Sequence, residues 1–531
     1  MTQPKWWQSG AIYQIYPRSF KDSNSDGIGD IPGIISRMDY LKNLGIGAIW
    51  LSPFFKSPMA DFGYDVADYC DVDPMFGTLA DFDKLVNAAH ERGIKLLIDF
   101  VPNHSSNQHA WFLESRSSKD NPKRDWYIWR DPKPDGSPPN NWGGSFGGSA
   151  WTFDETTGQY YFHQFLPEQP DLNWRNPDVK QTMMDVLRFW LERGVDGFRM
   201  DVVYMIWKHP DMPDQPLQEG AVARAPSDIH GIQQHLYDWD YEGVHDIMRE
   251  FRVLADDYGD TLLVGEIWLG LDRWATYFGT PDAPEFHLPF NFRLMLPDVI
   301  WNAEALRAEI ELMERTVPAH GYPNYVFNSH DQKRLPSRVG EQYTRIAAML
   351  LLTLRGTPTV YNGEELGLPN GDIEAHQMKD PQGINLGVEH TRDVARTPFL
   401  WDDRVYAGFS NVEPWLPVHA NYKTLNAVYQ AKDADSVLAL YQRLLALRKV
   451  EAALSIGTYT SIETPQGIFG YTRTHEATTF TILLNFTSAE QTLTLPAHSK
   501  VVVGTSQGRE GQVAETVTLR GFEGIVVREE K

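Results

Sequence analysis

The sequence predicts an α/β protein built on a (β/α)8 TIM barrel, with an inserted subdomain after strand 3 and a C-terminal antiparallel β-sandwich. Three observations support this prediction. A helical pattern, a glycine and a short apolar run recur together along most of the chain. A long stretch rich in Pro, Gly, Asn and Trp interrupts this alternation, and after about residue 450 short alternating runs replace the helical patterns.

The recurring unit is clear in SRMDYLKNLGIGAIWLSP (36–53), where glycine follows the helical pattern and precedes the apolar run. Glycine in this place is typical of a left-handed helix cap, and the apolar run is typical of a strand buried on both faces. Eight strands alternating with helices favour a closed parallel barrel. The other candidate strands lie in 11–20, 81–104, 179–202, 244–268, 286–292, 322–331 and 356–365.

Three domains follow from these patterns. We predict a catalytic barrel formed by 1–103 and 175–453, an inserted loop-rich subdomain at 104–174 and a β-sandwich at 454–531. A connection as long as the insertion is usually functional. The sandwich is indicated by runs that alternate with turn signals, namely TYTSIET, GIFGYTRT, TTFTILLNFT, QTLTLP, KVVVGT and GIVVRE.

The composition excludes several classes of partner. The 531 residues include 71 acidic and 48 basic ones, which gives a net charge of −23. A nucleic-acid or anionic-membrane partner would need a basic face, so we expect neither. The lone Cys70 forms no intrachain disulfide, no signal peptide is visible, and no apolar run reaches the ~20 residues that span a bilayer. We expect a cytoplasmic monomer or small homo-oligomer.

Polar residues end several of the predicted strands, and active sites of (β/α)8 barrels lie at that end. Packing alone is a poor explanation for the whole set, because burying charges costs several kcal/mol each. Single members could still be structural: Asp99 could hold a loop, and Arg199 with Asp201 could be a buried bridge. The residues are Asp99, Asn103, His104, Arg199, Asp201, Glu266, His330 and Asp331.

Four segments carry a family resemblance. In this order, IDFVPNH, GFRMDVV, GEIW and FNSHDQ resemble the four signature regions of the α-amylase family, glycoside hydrolase family 13. QPDLNW, GYDV, NGEELGL and TRDVARTPFLWD are similar to its α-glucosidase and oligo-1,6-glucosidase branch. The aromatic content of 12% agrees with sugar binding, since flat rings in polar loops suit sugar rings, although ordinary packing explains it equally well.

The resemblance implies a role for each matching residue. Asp201 matches the catalytic nucleophile, Glu266 the general acid/base, and Asp331 a third carboxylate that binds sugar hydroxyls. Retaining hydrolysis needs one carboxylate that attacks and one that is protonated, ~5 Å apart. Arg199 would keep Asp201 ionised, while apolar neighbours would surround Glu266. Substrate contacts are implied for Asp61, Tyr64, His104, Phe146, Phe165, Gln169, Arg199, His330, Arg392 and Arg396; Asp61 and Arg396, with Arg392 as a further candidate, would close the pocket.

The segment DSNSDGIGD (22–30) resembles a calcium loop. Its acidic and amide residues follow the spacing of an EF-hand, but Gly33 replaces the final Glu and a strand precedes the loop, so a true EF-hand is excluded. Similar loops in related glucosidases imply a structural Ca²⁺ or Mg²⁺; an acidic turn without metal stays open, and no organic cofactor is expected. The implied ligands are Asp22, Asn24, Asp26, Ile28 and Asp30.

The resemblance predicts an exo-acting retaining α-glucosidase acting on maltose, malto-oligosaccharides and, as further candidates, sucrose or trehalose, with transglycosylation an open question. Val202 resembles enzymes that favour α-1,6 bonds, but Tyr204 and the segment 205–216 resemble α-1,4-leaning α-glucosidases more closely. An oligo-1,6-glucosidase is therefore the alternative. An endo-acting amylase and a non-catalytic amylase-like partner of a transporter are weaker alternatives, because the pocket-closing residues and all three carboxylates are present.

Overall fold

The computed structural model describes residues 4–495, 498–513 and 515–529, and it contains one parallel sheet of eight strands. Each strand pairs with the next in the chain except the sixth and seventh, and the first pairs with the eighth. The strands are β1 Ile12–Ile15, β2 Ala48–Leu51, β3 Lys95–Phe100, β4 Gly197–Met200, β5 Leu262–Glu266, β6 Leu288–Phe290, β7 Asn324–Val326 and β8 Thr357–Tyr361.

The side chain of Asn324 bridges β6 and β7 in place of a strand ladder. Its Oδ1 accepts from the backbone N–H of Asn291 at 2.9 Å, and its Nδ2 donates to the carbonyl of Pro289. These bonds satisfy backbone groups that an open sheet edge would leave unpaired. The sheet is therefore a nearly closed barrel, and the predicted fold class is confirmed.

Helices cover the outside of the barrel. The third begins at Pro177, and the side chain of the preceding Asn176 caps its N-terminus; such caps and first-turn prolines favour helix starts. Its residues Met183, Leu187 and Trp190 are buried. The main helices are α1 Met38–Leu44, α2 Leu79–His90, α3 Pro177–Glu192, α4 Val244–Asp257, α5 Leu271–Trp274, α6 Ala303–Thr316, α7 Thr344–Thr353 and α8 Val437–Val450.

The chain between β3 and α3 forms a small unit of its own. It contains the helix Ala110–Ser117 and a three-stranded antiparallel sheet of Trp129–Arg130, Trp151–Asp154 and Gln159–Phe162. Its apolar core also includes Met212, which belongs to the connection between β4 and α4. The insertion and this connection therefore pack together over the barrel. We keep 104–174 as the proposed bounds of the subdomain. The proposed bounds of the barrel are 1–103 with 175–453, and those of the β-sandwich are 454–531.

The C-terminal part is a pair of antiparallel sheets with a shared apolar core. The larger sheet has five strands, and the smaller sheet has two. The strand 516–519 was not predicted, and Pro496, the last residue of the predicted run QTLTLP, lies outside the described residues. The larger sheet holds Thr458–Ser461, Ile468–His475, Thr478–Asn485, Gly524–Glu529 and Ser499–Gly504, and the smaller holds Gln491–Thr494 and Thr516–Leu519.

Candidate active site

The strand register brings the predicted acidic residues to one end of the barrel. Asp99 on β3 lies opposite Arg199 on β4, and Glu266 is the last residue of β5. Asp201 follows directly after β4, and Asp331 follows the end of β7. Because the carboxyl ends of parallel barrel strands meet at one mouth, these side chains converge there.

The backbone turns sharply immediately after Asp201. Val202 has φ 36° and ψ 42°, a left-handed conformation that is strained for a β-branched residue. The turn directs the chain into the short helical segment Val203–Met205, and it points the backbone N–H of Val202 at Glu266 Oε2, 3.1 Å away. Local strain at this position therefore orients a hydrogen-bond donor toward a candidate catalytic carboxylate.

Arg199 contacts three carboxylates, not one. Its Nη1 lies 2.7 Å from both Asp99 Oδ1 and Asp201 Oδ1, and its Nη2 lies 2.6 Å from Glu266 Oε2. The side chain is 2% exposed, so these contacts are desolvated and strong. The expectation that Arg199 distinguishes the environment of Asp201 from that of Glu266 is wrong, because a forked guanidinium between adjacent strands reaches both.

The protonation of the carboxylates follows from this crowding. Burial and the charge of Glu266 raise the pKa of Asp201 well above its ordinary value, although Arg199 acts in the opposite direction. Burial also raises the pKa of Asp99 to about 6, against the effects of Arg199 and the indole of Trp50. Asp201, whose carboxyl is hydrogen-bonded to that of Glu266, therefore retains its proton to a higher pH than an isolated aspartate does.

Asp331 lies in the opposite electrostatic environment. Burial alone would raise its pKa, but His330, Arg392 and Arg396 together lower it below its ordinary value. Burial lowers the pKa of His330 to about 3, so the ring is neutral. Its Nδ1 is 2.7 Å from Gln14 Nε2, which donates, so Nε2 carries the proton and faces Tyr64 Oη at 2.8 Å. Asp331 is thus a fixed negative charge in the same cavity as Asp201, whose pKa is raised.

A second ion cluster closes the site around Arg392. Its Nη2 lies 2.8 Å from Asp61 Oδ1 and 2.6 Å from Asp380 Oδ1, and its Nη1 is 3.3 Å from Asp331 Oδ1. Arg396 instead donates from Nε to the carbonyl of His330 and from Nη2 to Asp331. Arg396 was the main expected partner of Asp61 and Arg392 the further candidate. Only Arg392 contacts Asp61, while Arg396, four residues further along the same loop, contacts Asp331.

These groups surround a cavity of about 320 Å³. Phe146 and Phe165 meet edge to face at 5.6 Å on its wall, and Gln169 Nε2 donates to Asp61 Oδ2 at 3.3 Å. Arg199, His330 and Arg396 contact the lining residues from behind. Of the predicted site residues, the lining contains Asp61, Tyr64, His104, Phe146, Phe165, Gln169, Asp201, Glu266, Asp331 and Arg392.

Several lining or supporting residues were not predicted from the sequence. Trp268, expected only as an apolar neighbour, donates its indole N–H to Glu266 Oε1 at 2.7 Å and stacks on Phe292. Asp380 had no role in the prediction, although the dipeptide Asp380–Pro381 is a recognisable helix start. That signal locates the residue on a helix cap but does not show its ionic partner. The further lining residues are Ser145, Val202, Tyr204, Met205, Arg224, His230, Trp239, Gln332 and Gln382.

The loop at residues 22–30 offers oxygen donors of the kind that Ca²⁺ and Mg²⁺ prefer. Its carboxylates accept hydrogen bonds from the loop itself: Asp22 from three backbone N–H groups, Asp26 from Ile28 and Asp30 from Ser23. Each oxygen of Asp26 and Asp30 keeps a second lone pair, whereas both oxygens of Asp22 already accept two bonds, one of them from Ser410. The donor types fit a hard cation. No group of three or more His, Cys, Asp or Glu placed to hold a metal occurs among the described residues.

A (β/α)8 barrel with paired carboxylates at its mouth and a polar and aromatic cavity defines a glycosidase-type site. The family model "Alpha amylase, catalytic domain" matches residues 14–457, and "Beta-galactosidase C-terminal domain" matches 471–529. The chain belongs to the α-amylase family of glycoside hydrolases, and it is a glycoside hydrolase by that membership.

Relatives extend this similarity over almost the whole chain. A probable alpha-glucosidase of Rhizobium meliloti is 41% identical over 508 residues, covering 92% of this chain and 91% of the relative. An oligo-1,6-glucosidase of Halalkalibacterium halodurans is 41% identical over 517 residues, covering 91% and 90%. The crystal structure of the alpha-glucosyl transfer enzyme XgtA is 38% identical with a TM-score of 0.92, covering 99% and 100%. Within the described residues, every helix is too short or too polar to cross a membrane.

Proposed function

We propose that the protein is an exo-acting retaining α-glucosidase that releases glucose from the non-reducing end of short α-glucosides. The observation that carries the proposal is the cavity of about 320 Å³, which Asp201, Glu266 and Asp331 line together with the ion-paired Asp61 and Arg392. A buried pair that joins two loops at the cavity wall favours a pocket for one terminal sugar. An open cleft for internal cleavage would not need it.

The reaction proceeds by double displacement. A carboxylate oxygen of Asp201 attacks the anomeric carbon, the glycosidic C–O bond breaks, and Glu266 gives its proton to the departing oxygen. Glu266 then accepts a proton from water, whose oxygen attacks the same carbon and frees Asp201. Two inversions retain the α configuration. The proton must reside on Glu266 when the sugar is bound, although Arg199 contacts both carboxylates and does not select between them.

Asp331 and the groups behind it bind the sugar. A carboxylate held ionised by Arg392 and Arg396 is a strong acceptor for sugar hydroxyls. Tyr64 lies parallel to His330, with ring centroids 5.5 Å apart and planes within 2°. Its opposite face is suited to stacking on a sugar ring. We assign His104, Phe146, Phe165 and Gln169 to the same sugar site because they line the cavity.

Neutral α-glucosides are the proposed substrates: maltose and malto-oligosaccharides, with sucrose and trehalose as further candidates. An oligo-1,6-glucosidase acting on isomaltose-type substrates is the second candidate, favoured by Val202 and by the relative of that name. Transfer to an acceptor sugar is a further possibility supported by the similarity to XgtA. A non-catalytic role is disfavoured because all three carboxylates are present. We also propose a cytoplasmic monomer or small homo-oligomer.

A hydrolysis panel tests this proposal. Purified protein is incubated with maltose, isomaltose, sucrose and trehalose at equal concentrations, and glucose release is measured as kcat/KM. The proposal expects maltose to exceed isomaltose. A preference for isomaltose would establish the oligo-1,6 alternative, and no hydrolysis of any member would refute an α-glucosidase.

We further propose that the loop at 22–30 binds one structural Ca²⁺ or Mg²⁺. The residues that would hold it are Asp22, Asn24, Asp26, Ile28 through its carbonyl, and Asp30. Asp22 also accepts from the hydroxyl of Ser410 at 2.6 Å, so the loop joins two distant parts of the chain. An ion there would strengthen that connection by offsetting the charges of three neighbouring aspartates.

A further inference from the structure

A second cavity of about 490 Å³ lies between the inserted subdomain and the β4–α4 connection. It shares no lining residue with the active-site cavity. Its lining is basic, although the chain as a whole carries a net charge of −23. One acidic residue, Asp125, lies among the basic ones, which are Lys119, Arg124, Arg130, Arg175, Lys208 and His209.

The three arginines in this lining, Arg124, Arg130 and Arg175, have no carboxylate partner in the described part of the chain. Arg130 donates to the carbonyls of Trp129 and Pro210, both at 2.8 Å, and Arg175 donates to the carbonyl of Lys208 at 2.7 Å. The single acid, Asp125, is occupied by the side-chain amides of nearby asparagines. Lys208 is paired with the buried Asp171, and Lys119 lies 3.6 Å from Asp131, so the positive charge that the described residues leave without an acidic partner is that of the three arginines.

Arg124 also has a buried donor atom without a hydrogen-bond partner among the described residues. Its guanidinium carbon lies 3.5 Å from the ring centroid of Trp129, and its buried Nε has no hydrogen-bond partner. A buried donor without a partner costs about 1–3 kcal/mol. Burial lowers the pKa of Arg124 to about 10 despite the charges of Asp154 and Asp131, so the group stays cationic at neutral pH.

The geometry brings the basic groups to one place. Arg175 and Arg130 bind carbonyls of Lys208 and Pro210, which are two residues apart and so at most ~7 Å apart along the chain. Between them, His209 Nδ1 accepts from the N–H of Asp211 at 3.0 Å, so its proton is on Nε2. Arg175 also stacks on Trp207, with 4.5 Å between its guanidinium carbon and the ring centroid. Two guanidinium forks and an imidazole N–H thus converge on a three-residue segment.

We propose that this cavity is a binding site for a phosphate-class oxyanion, either inorganic phosphate or the phosphoryl group of a sugar phosphate. Planar guanidinium groups bind tetrahedral oxyanions by paired charge-assisted hydrogen bonds. Stacking on Trp207 fixes the plane of Arg175, whose Nη2 is bonded to Lys208 and whose Nε and Nη1 are left for a ligand. Arg124, stacked on Trp129, offers only its unpaired Nε, because its Nη atoms donate to Ser115, Thr157 and Gln159. The cavity is much larger than one phosphate, and its indole rings suit the remainder of a phosphorylated sugar.

Calorimetric titration of the full-length protein tests the proposal. Sodium phosphate and glucose 6-phosphate are the two titrants, and sodium chloride at equal ionic strength is the reference. We compare wild type with Arg175→Gln, with the double variant Arg130→Gln/Arg175→Gln and with Arg92→Gln. Arg92 is the matched control because it also donates to a backbone carbonyl but pairs with a surface carboxylate, Asp39.

We expect saturable heat from phosphate in wild type and Arg92→Gln, and at least ~10-fold weaker binding in the double variant, since each charged hydrogen bond contributes roughly 1.5–3 kcal/mol. Arg175 is exposed, so the single variant folds and shows a smaller weakening in the same direction. Tighter binding of glucose 6-phosphate than of phosphate identifies a sugar phosphate as the ligand, and equal affinities identify phosphate itself. Phosphate heat no greater than that of chloride, or equal affinity in wild type and both cavity variants, overturns the proposal.

Discussion

Replacing Arg392 by methionine removes the cation at the centre of the closing cluster and leaves its carboxylates buried. The guanidinium makes short contacts with Asp61 at 2.8 Å and with Asp380 at 2.6 Å, and a longer one with Asp331 at 3.3 Å. Methionine fills most of the volume but offers no positive charge. Arg392→Lys keeps the charge as a point and loses the fork that holds two aspartates at once.

The expected loss of unfolding free energy in Arg392→Met follows from the buried carboxylates that lose their counter-charge. Removing one partner of a buried ion pair costs about 3–5 kcal/mol of unfolding free energy, and two aspartates lose their main partner here. We therefore expect about 3–5 kcal/mol for Arg392→Met and a smaller loss for Arg392→Lys. Arg404→Met is the control, because its pair with Asp402 is 68% exposed on the arginine side, and surface pairs contribute about 0–1 kcal/mol.

The loss of unfolding free energy in Arg392→Met depends on pH in a defined direction. Burial acts to raise the pKa of Asp380, but Arg392 and Arg396 hold it at about 2, below the ~3.9 of an unfolded aspartate. This group therefore stabilises the native state above about pH 4, and its contribution is lost as the pH falls through about 2. Without Arg392 the freed carboxylates take up protons on acidification, so the deficit of the variant shrinks from pH 7 to pH 4.

Urea unfolding at pH 7 and pH 4 measures both effects, with fluorescence as the probe. A deficit below about 1 kcal/mol for Arg392→Met at pH 7, no larger than that of Arg404→Met, would refute the assignment of Arg392 as the main counter-charge. A deficit that grows toward pH 4 would refute the ionisation argument. The same variants should also show a raised KM for maltose, since the closing pair lines the sugar cavity.

Three further outcomes are expected. Asp201→Asn should lower kcat for maltose at least ~1000-fold, because it removes the proposed nucleophile. Its Tm at pH 7 should equal or exceed that of wild type, since a carboxyl whose pKa is raised by burial destabilises the fold when ionised. A lowered Tm with residual activity would contradict this. Trp268→Phe keeps an aromatic ring but removes the 2.7 Å hydrogen bond from the indole to Glu266. We expect kcat/KM to fall about tenfold while Tm is unchanged. An unchanged kcat/KM would show that this hydrogen bond is dispensable. EDTA should lower Tm and added Ca²⁺ should restore it, whereas an EDTA-insensitive Tm would indicate an acidic turn without metal.

The barrel strands could be predicted because their signals are local. In the unit that ends at Leu51, the glycine cap Gly45 has φ 95°, and the strand Ala48–Leu51 is buried along its whole length. The missed strand Thr516–Leu519 has no such signal: it is four residues long, half of its side chains are exposed, and its partner Gln491–Thr494 is distant in the chain. Cross-strand partners of this kind depend on tertiary packing.

The convergence of the site residues was predictable where they end strands, whereas for the loop residues the sequence identified candidates but not which of them contact each other. Asp201 and Glu266 converge because parallel strands share an end. Asp380 and Arg392 lie in a long loop after β8, where sequence spacing does not determine which side chains meet. The same limit explains why the sequence left both Arg396 and Arg392 as candidate partners of Asp61. The even division of Arg199 among three carboxylates depends on the register of β3, β4 and β5, which strand prediction alone does not supply.

Proton NMR of maltotriose hydrolysis shows directly which anomer of glucose the enzyme releases. Double displacement at the non-reducing end predicts that glucose appears first as its α anomer, together with maltose, and that β-glucose accumulates only by later mutarotation. Early accumulation of β-glucose would contradict the double displacement through Asp201.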